Sequence, residues 1–325
     1  MDDLRICIIG AGNLATRRIY PNIGAAGACL VGVCDLDAEK AQRNARRFGG
    51  TPYADFELML KENKPDAVMV CVGPKAHAEL APRILKMGFP VYTENPPAPS
   101  AAEAMAVARA AKAAGLLCST AFKKRYTLAA VRAKEWLASF PEGDRLALSI
   151  DSSSGPYSNK DLSSQFLHDF CVHPIDLAAY LFGDVASVFA FSKGPEAFAV
   201  SLRFLSGAVG SLSLNDGRSF NVPTEEIEMT LRGGNFMSIH NSSQWRITEG
   251  QKPKEWREPP TFVSGGDSGY DTGHLAEIED FFAAVRDHRT TRSNIYESYK
   301  TMVLYEATRD SAETGKVINP VYEAL

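Results

Sequence analysis

A histidine and a carboxylate in the second half of the chain have a spacing that suits proton transfer. In the segment from Phe166 to Leu177, Asp169 and His173 are four residues apart, so one helical turn would place both on the same face. A histidine beside a carboxylate is a suitable proton acceptor near neutral pH. Pro174 removes a backbone hydrogen bond, so a helix must begin close to it or bend there. The same pair could simply hold a helix start, and the pattern leaves both interpretations open.

The beginning of the chain has the spacing of a dinucleotide-binding turn. An apolar run leads into Gly-x-Gly-x-x-Ala at residues 10–15, ahead of a helix-like segment. Gly10 allows the tight turn, and Gly12 lets a pyrophosphate approach the backbone. The free N–H groups at the helix start, where Asn13 and Leu14 lie, would then face the phosphates.

An acid follows the second predicted strand and points to the identity of the dinucleotide. Asp35 closes the strand Leu30 to Cys34, 25 residues after Gly10. A carboxylate there accepts hydrogen bonds from the adenosine ribose hydroxyls and repels a 2′-phosphate. The sequence therefore favours NAD over NADP as the cofactor. The alternative for Asp35 is a solvated loop acid.

Three further strands are predicted to end in polar residues at the same edge of the sheet. They end near residues 71–77, 94–97 and 122–126. Ligands bind outside the carboxyl ends of parallel strands, so side chains at these ends should flank the nicotinamide. The residues expected there are Cys71, Val72, Gly73, His77, Glu94 and Asn95.

The order of predicted elements indicates an α/β protein with two domains. Residues 1 to about 120 alternate short apolar strands with alanine-rich helices, which predicts a doubly wound parallel sheet. Later strands follow one another through hairpin-type turns, interrupted by a helical pattern at about 164–182, which predicts an open, mostly antiparallel sheet. We expect an NAD-binding Rossmann domain at 1–122 and a substrate-binding and oligomerisation domain at 123–325.

The later part of the chain is predicted to contain a long loop followed by a helical stretch. Residues 251–273 should form a long loop or lid, and about 274–314 a terminal helical stretch that packs back on the first domain. The predicted strands are about 4–9, 30–34, 66–72, 89–93, 116–121, 145–151, 185–192, 197–204, 208–215, 227–231 and 235–240.

Bulk composition excludes several classes of protein. The 325 residues are 45% hydrophobic and 23% charged, which excludes disordered and fibrous chains. The net charge of −4 and the lack of a basic stripe predict neither nucleic acid nor a membrane surface as partner. The first strand begins by Leu4 and no apolar run is long enough to span a membrane, so we expect a cytoplasmic protein. The six cysteines include no Cys-x-x-Cys pair, and no metal is predicted.

Together these motifs resemble the glucose–fructose oxidoreductase/inositol dehydrogenase (Gfo/Idh/MocA) family over nearly the whole chain. The resemblance implies a Rossmann domain followed by an α/β domain whose open sheet often forms the subunit interface. A homodimer or homotetramer through that sheet is therefore expected. The matching pieces are residues 10–15, Asp35, His77, Glu94-Asn95-Pro96, Phe122 to Tyr126, Asp169-x-x-x-His173-x-x-Asp176, Gly273-His274-x-x-Glu277 and residues 311–316.

The resemblance also implies a catalytic set, and this chain departs from it at one position. The family uses a lysine in Glu-Lys-Pro together with an aspartate and a histidine, which correspond here to Asn95, Asp169 and His173. Asn95 donates a hydrogen bond but carries no charge, and losing such a donor can cost about 10²–10³ in rate. Lys123 or Lys124 could supply the charge. For Lys124 the family offers a basic residue on the substrate side, and a surface salt bridge is the alternative.

The predicted function is an NAD-dependent oxidoreductase that acts on a carbon-bound hydroxyl of a sugar, sugar derivative or cyclitol. His173, oriented by Asp169, would take the hydroxyl proton. Two alternatives stay open: an NAD-dependent glycosidase that uses transient oxidation for elimination, and a non-catalytic NAD- or sugar-binding regulatory protein. In the late loop, hydrogen bonds to a polyhydroxylated substrate or an ordinary surface role are both open for Asp267, Ser268, Tyr270 and Asp271.

Overall fold

The computed structural model describes residues 4–157, 166–220, 224–258 and 271–325. The chain separates into two compact units. The first takes in the described residues of 1–123, 273–299 and 324–325, and the second those of 124–272 and 300–323.

The first unit is built on a parallel six-stranded sheet. Its strands are β1 (Leu4–Ile9), β2 (Ala28–Cys34), β3 (Thr51–Tyr53), β4 (Ala67–Val70), β5 (Val91–Thr93) and β6 (Cys118–Thr120). The strand order is β3-β2-β1-β4-β5-β6, with β2 and β4 on opposite sides of β1. Successive strands are thus added on one side of β1 up to β3 and on the other side from β4 onward, which makes β1 the topological switch point. A ligand crevice is expected outside the carboxyl end of β1 at this switch point. The predicted doubly wound parallel sheet is confirmed.

The helices follow from clear capping residues and apolar faces. Asp37 and Asp55 each accept two backbone N–H groups at a helix start, and Ser100 accepts one. The helices are α1 (Asn13–Arg18), α2 (Asn22–Ala25), α3 (Ala38–Phe48), α4 (Phe56–Asn63), α5 (Pro74–Lys86), α6 (Ala101–Ala114), α7 (Leu128–Ala138), α8 (Val172–Phe182), α9 (His274–Asp287) and α10 (Ile295–Thr314).

The second unit contains an eight-stranded sheet in the order β14-β13-β12-β11-β7-β10-β9-β8. Neighbouring strands are antiparallel except β7 and β10, which are parallel. This confirms the open, mostly antiparallel sheet. Its strands are β7 (Arg145–Ser153), β8 (Val185–Lys193), β9 (Ala197–Phe204), β10 (Val209–Asn215), β11 (Thr224–Leu231), β12 (Asn235–His240), β13 (Gln244–Glu249) and β14 (Lys252–Arg257).

Three strands were not foreseen, and the loop predicted at 251–273 is wrong over its first part. β3 has only three residues, one of them proline, and is too short to show a period. β14 has the sequence Lys-Pro-Lys-Glu-Trp-Arg and lies at the edge of its sheet, where polar residues are common. It pairs with β13, which was also not predicted. The terminal helical stretch is two helices, because α9 ends at Asp287 and the next residue, His288, has a left-handed conformation.

The first of the two late helices contributes apolar side chains to the core of the first unit. Ile278, Phe281 and Phe282 on α9 are buried in one cluster with Ile6 and Ile8 of β1. Within the described residues, no helix is long and apolar enough to cross a membrane.

Candidate functional site

The glycine turn after β1 combines one crowded position with one open position. Gly10 has φ +103°, and a Cβ atom there would lie 2.2 Å from the carbonyl oxygen of Cys71. A side chain at this position is therefore excluded by both conformation and space. A Cβ atom on Gly12 would meet nothing within 4 Å. The turn thus leaves open space at Gly12, and Gly12, Asn13 and Leu14 are exposed residues at the helix start, which suits the approach of a pyrophosphate.

Asp35 is tied to this turn through both carboxylate oxygens. Its Oδ2 accepts the N–H of Ala11 at 2.7 Å, and its Oδ1 accepts the N–H of Asp37 at 2.8 Å. Each carboxylate oxygen has a second lone pair, so the group can still accept from a ligand hydroxyl. The structure therefore places the predicted ribose acceptor directly beside the glycine turn.

A polar network beneath the turn was missed by sequence reasoning. Tyr20 donates its hydroxyl to the carbonyl of Gly10 at 3.0 Å, and Thr16 donates to the carbonyl of Ala11 at 3.4 Å. Asn44 of α3 donates to the Thr16 hydroxyl at 2.8 Å. Burial raises the pKa of Tyr20, so its hydroxyl stays protonated. The partners come from separate parts of the chain, and no local sequence pattern reports such a network.

His77 connects two of the predicted strand ends from inside the unit. The ring is fully buried, with Nδ1 2.9 Å from the carbonyl oxygen of Pro96 and Nε2 accepting the N–H of Val72 at 3.3 Å. Burial lowers its pKa to about 4, so the ring is neutral, and the carbonyl partner requires the proton on Nδ1. A direct contact between His77 and a cofactor stays a prediction that this burial disfavours.

Glu94 and Asn95 lie where β5 ends. Glu94 is buried, and burial raises the pKa of its carboxyl to about 7, against the opposing effect of the Lys123 ammonium. The amide of Asn95 donates to the carbonyl of Ala121 at 2.9 Å. Asn95 is therefore joined to the neighbouring strand end.

The segment that carries His173 begins with an unusual turn. Residues Phe166–Cys171 form a π-helical turn that continues into α8, with Pro174 in its first turn. The predicted start or bend at Pro174 is confirmed. The Asp169 carboxylate lies 3.1 Å from Nδ1 of His168, and His173 is half-buried one turn later. The orientation of His173 by Asp169 stays a prediction.

The acid at the end of this motif has a structural role. Asp176 is fully buried and accepts hydrogen bonds from the Arg125 guanidinium, with Nη2 at 2.6 Å and Nε at 2.9 Å. The hydroxyl of Thr301 donates to the same carboxylate at 2.6 Å. These contacts fix α8 within the second unit.

Lys124 is also held within the second unit. Its ammonium lies 2.8 Å from Oε1 of Glu225 and 3.0 Å from the hydroxyl of Ser242, and that hydroxyl donates to Glu225 at 2.9 Å. The Glu225 side chain is 7% exposed and that of Lys124 is 22% exposed. The predicted catalytic role of Lys124 is untested, and this ion pair accounts for its charge.

Of the four candidate residues in the late loop, Asp271 belongs to the part of the chain that the structure describes. Asp271 forms an ion pair with Arg257 at 3.5 Å. The other three candidates, Asp267, Ser268 and Tyr270, lie outside the described residues. Among the residues that are described, no group of three or more His, Cys, Asp or Glu side chains is arranged to hold a metal ion.

Comparison with known proteins covers both units. Residues 4–122 match the GFO/IDH/MocA family described as "Oxidoreductase family, NAD-binding Rossmann fold". Residues 157–321 match its companion, described as "Oxidoreductase family, C-terminal alpha/beta domain".

The relatives are distant in sequence, and their matches cover from about half to nearly all of this chain. The chain is 25% identical to the myo-inositol 2-dehydrogenase of Thermotoga maritima, with 97% of this chain and 98% of that protein covered. It is 29% identical to the D-glucoside 3-dehydrogenase of Escherichia coli over 55% of this chain, and that match spans about half (54%) of the relative. A solved structure of levoglucosan dehydrogenase with NADH and levoglucosan has a TM-score of 0.85 at 20% identity, with 98% of this chain and 100% of that chain covered. This last likeness shows the fold.

Proposed function

Because this chain belongs to the Gfo/Idh/MocA family of oxidoreductases and carries its NAD-binding Rossmann domain, we propose that it oxidises a carbon-bound hydroxyl of a sugar, sugar derivative or cyclitol. The substrate class is supported by the names of its relatives, a myo-inositol dehydrogenase and a glucoside dehydrogenase. The same names favour neither redox-assisted glycoside cleavage nor a non-catalytic binding role. A cytoplasmic location and assembly through the C-terminal sheet remain predictions.

NAD rather than NADP is the proposed cofactor. Gly10, Gly12, Asn13 and Leu14 would hold its pyrophosphate, and Asp35 its adenosine ribose. The observation that carries this proposal is the open space at Gly12 beside the doubly anchored carboxylate of Asp35. A 2′-phosphate would meet the negative charge of that carboxylate. Of the strand ends, Cys71, Val72, Gly73, Glu94 and Asn95 are proposed to border the nicotinamide.

His173 is the proposed proton acceptor. Bound NAD supplies the acceptor for the hydride. As the carbon–hydrogen bond breaks, the hydroxyl proton passes to His173 and a carbonyl forms on the substrate. Asp169 is proposed to orient the ring and stabilise its protonated form. A base of this kind typically contributes about 10²–10⁴ in rate.

A panel of cyclitols, aldoses and glycosides incubated with NAD or NADP tests the proposal. We expect NADH to form with at least one member, and NADPH to form far more slowly. His173→Ala should abolish turnover while leaving NAD affinity unchanged. Normal turnover by this variant would remove His173 from the mechanism, and release of an aglycone without net NADH would select the glycosidase alternative.

A further inference from the structure

Oxidation of an alcohol needs a group that stabilises negative charge on the reacting oxygen. As hydride leaves, that oxygen loses its proton and gains anionic character. A fixed cation or hydrogen-bond donor aimed at it is often the largest single contribution to catalysis. Lys75 and Lys123 both lie at the carboxyl edge of the parallel sheet, where the nicotinamide is proposed to bind, and Lys123 is the one whose charge acts on the buried Glu94.

Lys123 lies at this edge and begins a short 3₁₀ turn, Lys123–Tyr126, after β6. β5 and β6 remain paired beyond their last strand residues, because the N–H of Ala121 donates to the carbonyl of Thr93 at 2.8 Å. The side chain of Asn95 adds a bond to the carbonyl of Ala121. The backbone that carries Glu94 is thus joined to the backbone that leads into Lys123.

The charge of Lys123 acts on Glu94. After the burial that raises the pKa of this carboxyl, the Lys123 ammonium has the largest effect, and it lowers the pKa. Cys71 and Tyr92 also face Glu94, but burial raises the pKa of both, so both stay neutral. The Lys123 ammonium, together with the backbone N–H of Asn95, therefore favours the ionised form of Glu94, and the attraction between the two charges is mutual.

The neighbouring donors each have other partners. One N–H of the Asn95 amide donates to the carbonyl of Ala121, and the amide carries no charge. Glu225 and Ser242 hold the Lys124 ammonium at 2.8 and 3.0 Å. Its charge is neutralised by a carboxylate that is itself buried.

We propose that Lys123 is a catalytic residue whose ammonium donates a hydrogen bond to the reacting substrate oxygen, while Glu94 holds it at the edge of the sheet. This role rests on the proposed oxidoreductase function. The hydroxyl proton goes to His173, and the hydride goes to NAD. Glu94 acts through Lys123 and is a positioning residue for it.

Lys123→Met tests the proposal against a matched control, Lys75→Met. Lys75 is an exposed lysine in the first turn of α5 at the same sheet edge. Lys123→Met should lower kcat by about 10²–10³, the loss typical of one well-placed donor, and leave NADH binding unchanged. Lys123→Arg should retain more activity than the methionine variant. Placing the charge on the adjoining strand end, in Lys123→Met/Asn95→Lys, should restore part of it.

A second readout does not depend on turnover. Carbon-13 NMR of glutamate-labelled protein should show the pKa of Glu94 rising in Lys123→Met and staying at its wild-type value in Lys75→Met. NADH binding by each variant shows that it is folded. Wild-type kcat in Lys123→Met, or an unchanged Glu94 titration, would overturn the proposal. Absence of turnover in the wild-type protein across the panel would instead contradict the proposed function.

Discussion

The Nδ1 atom of His77 lies 2.9 Å from the carbonyl oxygen of Pro96, inside the first unit. Its other ring nitrogen accepts the N–H of Val72, so one neutral imidazole joins the segments that follow β4 and β5. These are two of the segments proposed to border the nicotinamide. The distance between these two segments therefore depends on His77, a side chain that is itself fully buried.

This burial predicts a loss of stability in acid. The pKa of His77 is about 4 in the folded protein and 6.5 as its ordinary value. The unfolded chain therefore takes up the proton first, and folding free energy is lost as pH falls from 6.5 through 4. At about 1.4 kcal/mol per pKa unit, the loss should reach roughly 3 kcal/mol. Urea unfolding of the wild type and His77→Gln across this pH range measures it; parallel curves would show that His77 is not the cause.

The two glycines of the turn should separate folding from cofactor binding. Gly10→Ala should destabilise the fold, because its Cβ atom would lie 2.2 Å from the carbonyl oxygen of Cys71. Gly12→Ala has no protein atom within 4 Å of its Cβ and should fold normally. It should nevertheless bind NADH much more weakly, because the methyl group occupies the space proposed for pyrophosphate. Thermal unfolding and NADH fluorescence titration test both. Tight NADH binding by Gly12→Ala would rule out this position for the pyrophosphate.

Asp35 should set the preference for NAD. Asp35→Asn removes the charge that would repel a 2′-phosphate, and it weakens a charge-assisted acceptor worth about 1.5–3 kcal/mol. We expect NADH affinity to fall roughly 10–100-fold and the ratio of NADH to NADPH affinity to shift toward NADPH. Asp55→Asn is the matched control, since Asp55 likewise accepts two backbone N–H groups but at the start of α4. If the ratio of NADH to NADPH affinity is unchanged in Asp35→Asn, Asp35 serves only to accept the backbone N–H groups of the turn.

The buried pair Arg125–Asp176 should be a major determinant of stability in the second unit. Arg125→Met leaves the Asp176 carboxylate buried without its cation, which typically costs about 3–5 kcal/mol. Arg125→Met/Asp176→Leu should recover much of that loss because both charges are gone. The exposed pair Arg83–Glu57 provides a control, and Arg83→Met should cost less than about 1 kcal/mol. Equal losses for the two methionine variants would contradict this assignment.

The sequence predicted those helices and strands whose apolar periodicity, turn residues or capping residues lie within one short stretch of the chain. The strand, glycine turn and acid around Gly10 and Asp35 lie within one short stretch, and α6 carries its own cap at Ser100 and a left-handed glycine at its end. β3 and β14 were missed because their pairing with neighbouring strands, rather than their composition, makes them strands. The π-helical turn before α8 has no sequence signature of its own.

The same division holds for the site residues: their types could be recognised in the sequence, but their long-range partners could not. Residue types identified His77 and Glu94 as candidates and the family resemblance included Asp176, but only the structure shows that His77 and Asp176 are used within the fold. The partners of Lys124 are about a hundred positions away in sequence, at Glu225 and Ser242. Long-range contacts of this kind follow from the assembled sheet and cannot be read from spacing along the chain.

We propose that this protein moves a hydride from a substrate carbon to NAD, and isotope transfer measures that step directly. Wild-type protein is incubated with NAD and carbon-deuterated sugars and cyclitols, and the nicotinamide is analysed by mass spectrometry. We predict deuterium on the nicotinamide with at least one substrate, and none with His173→Ala. Tight NAD binding without deuterium transfer from any member of the panel would contradict the claim.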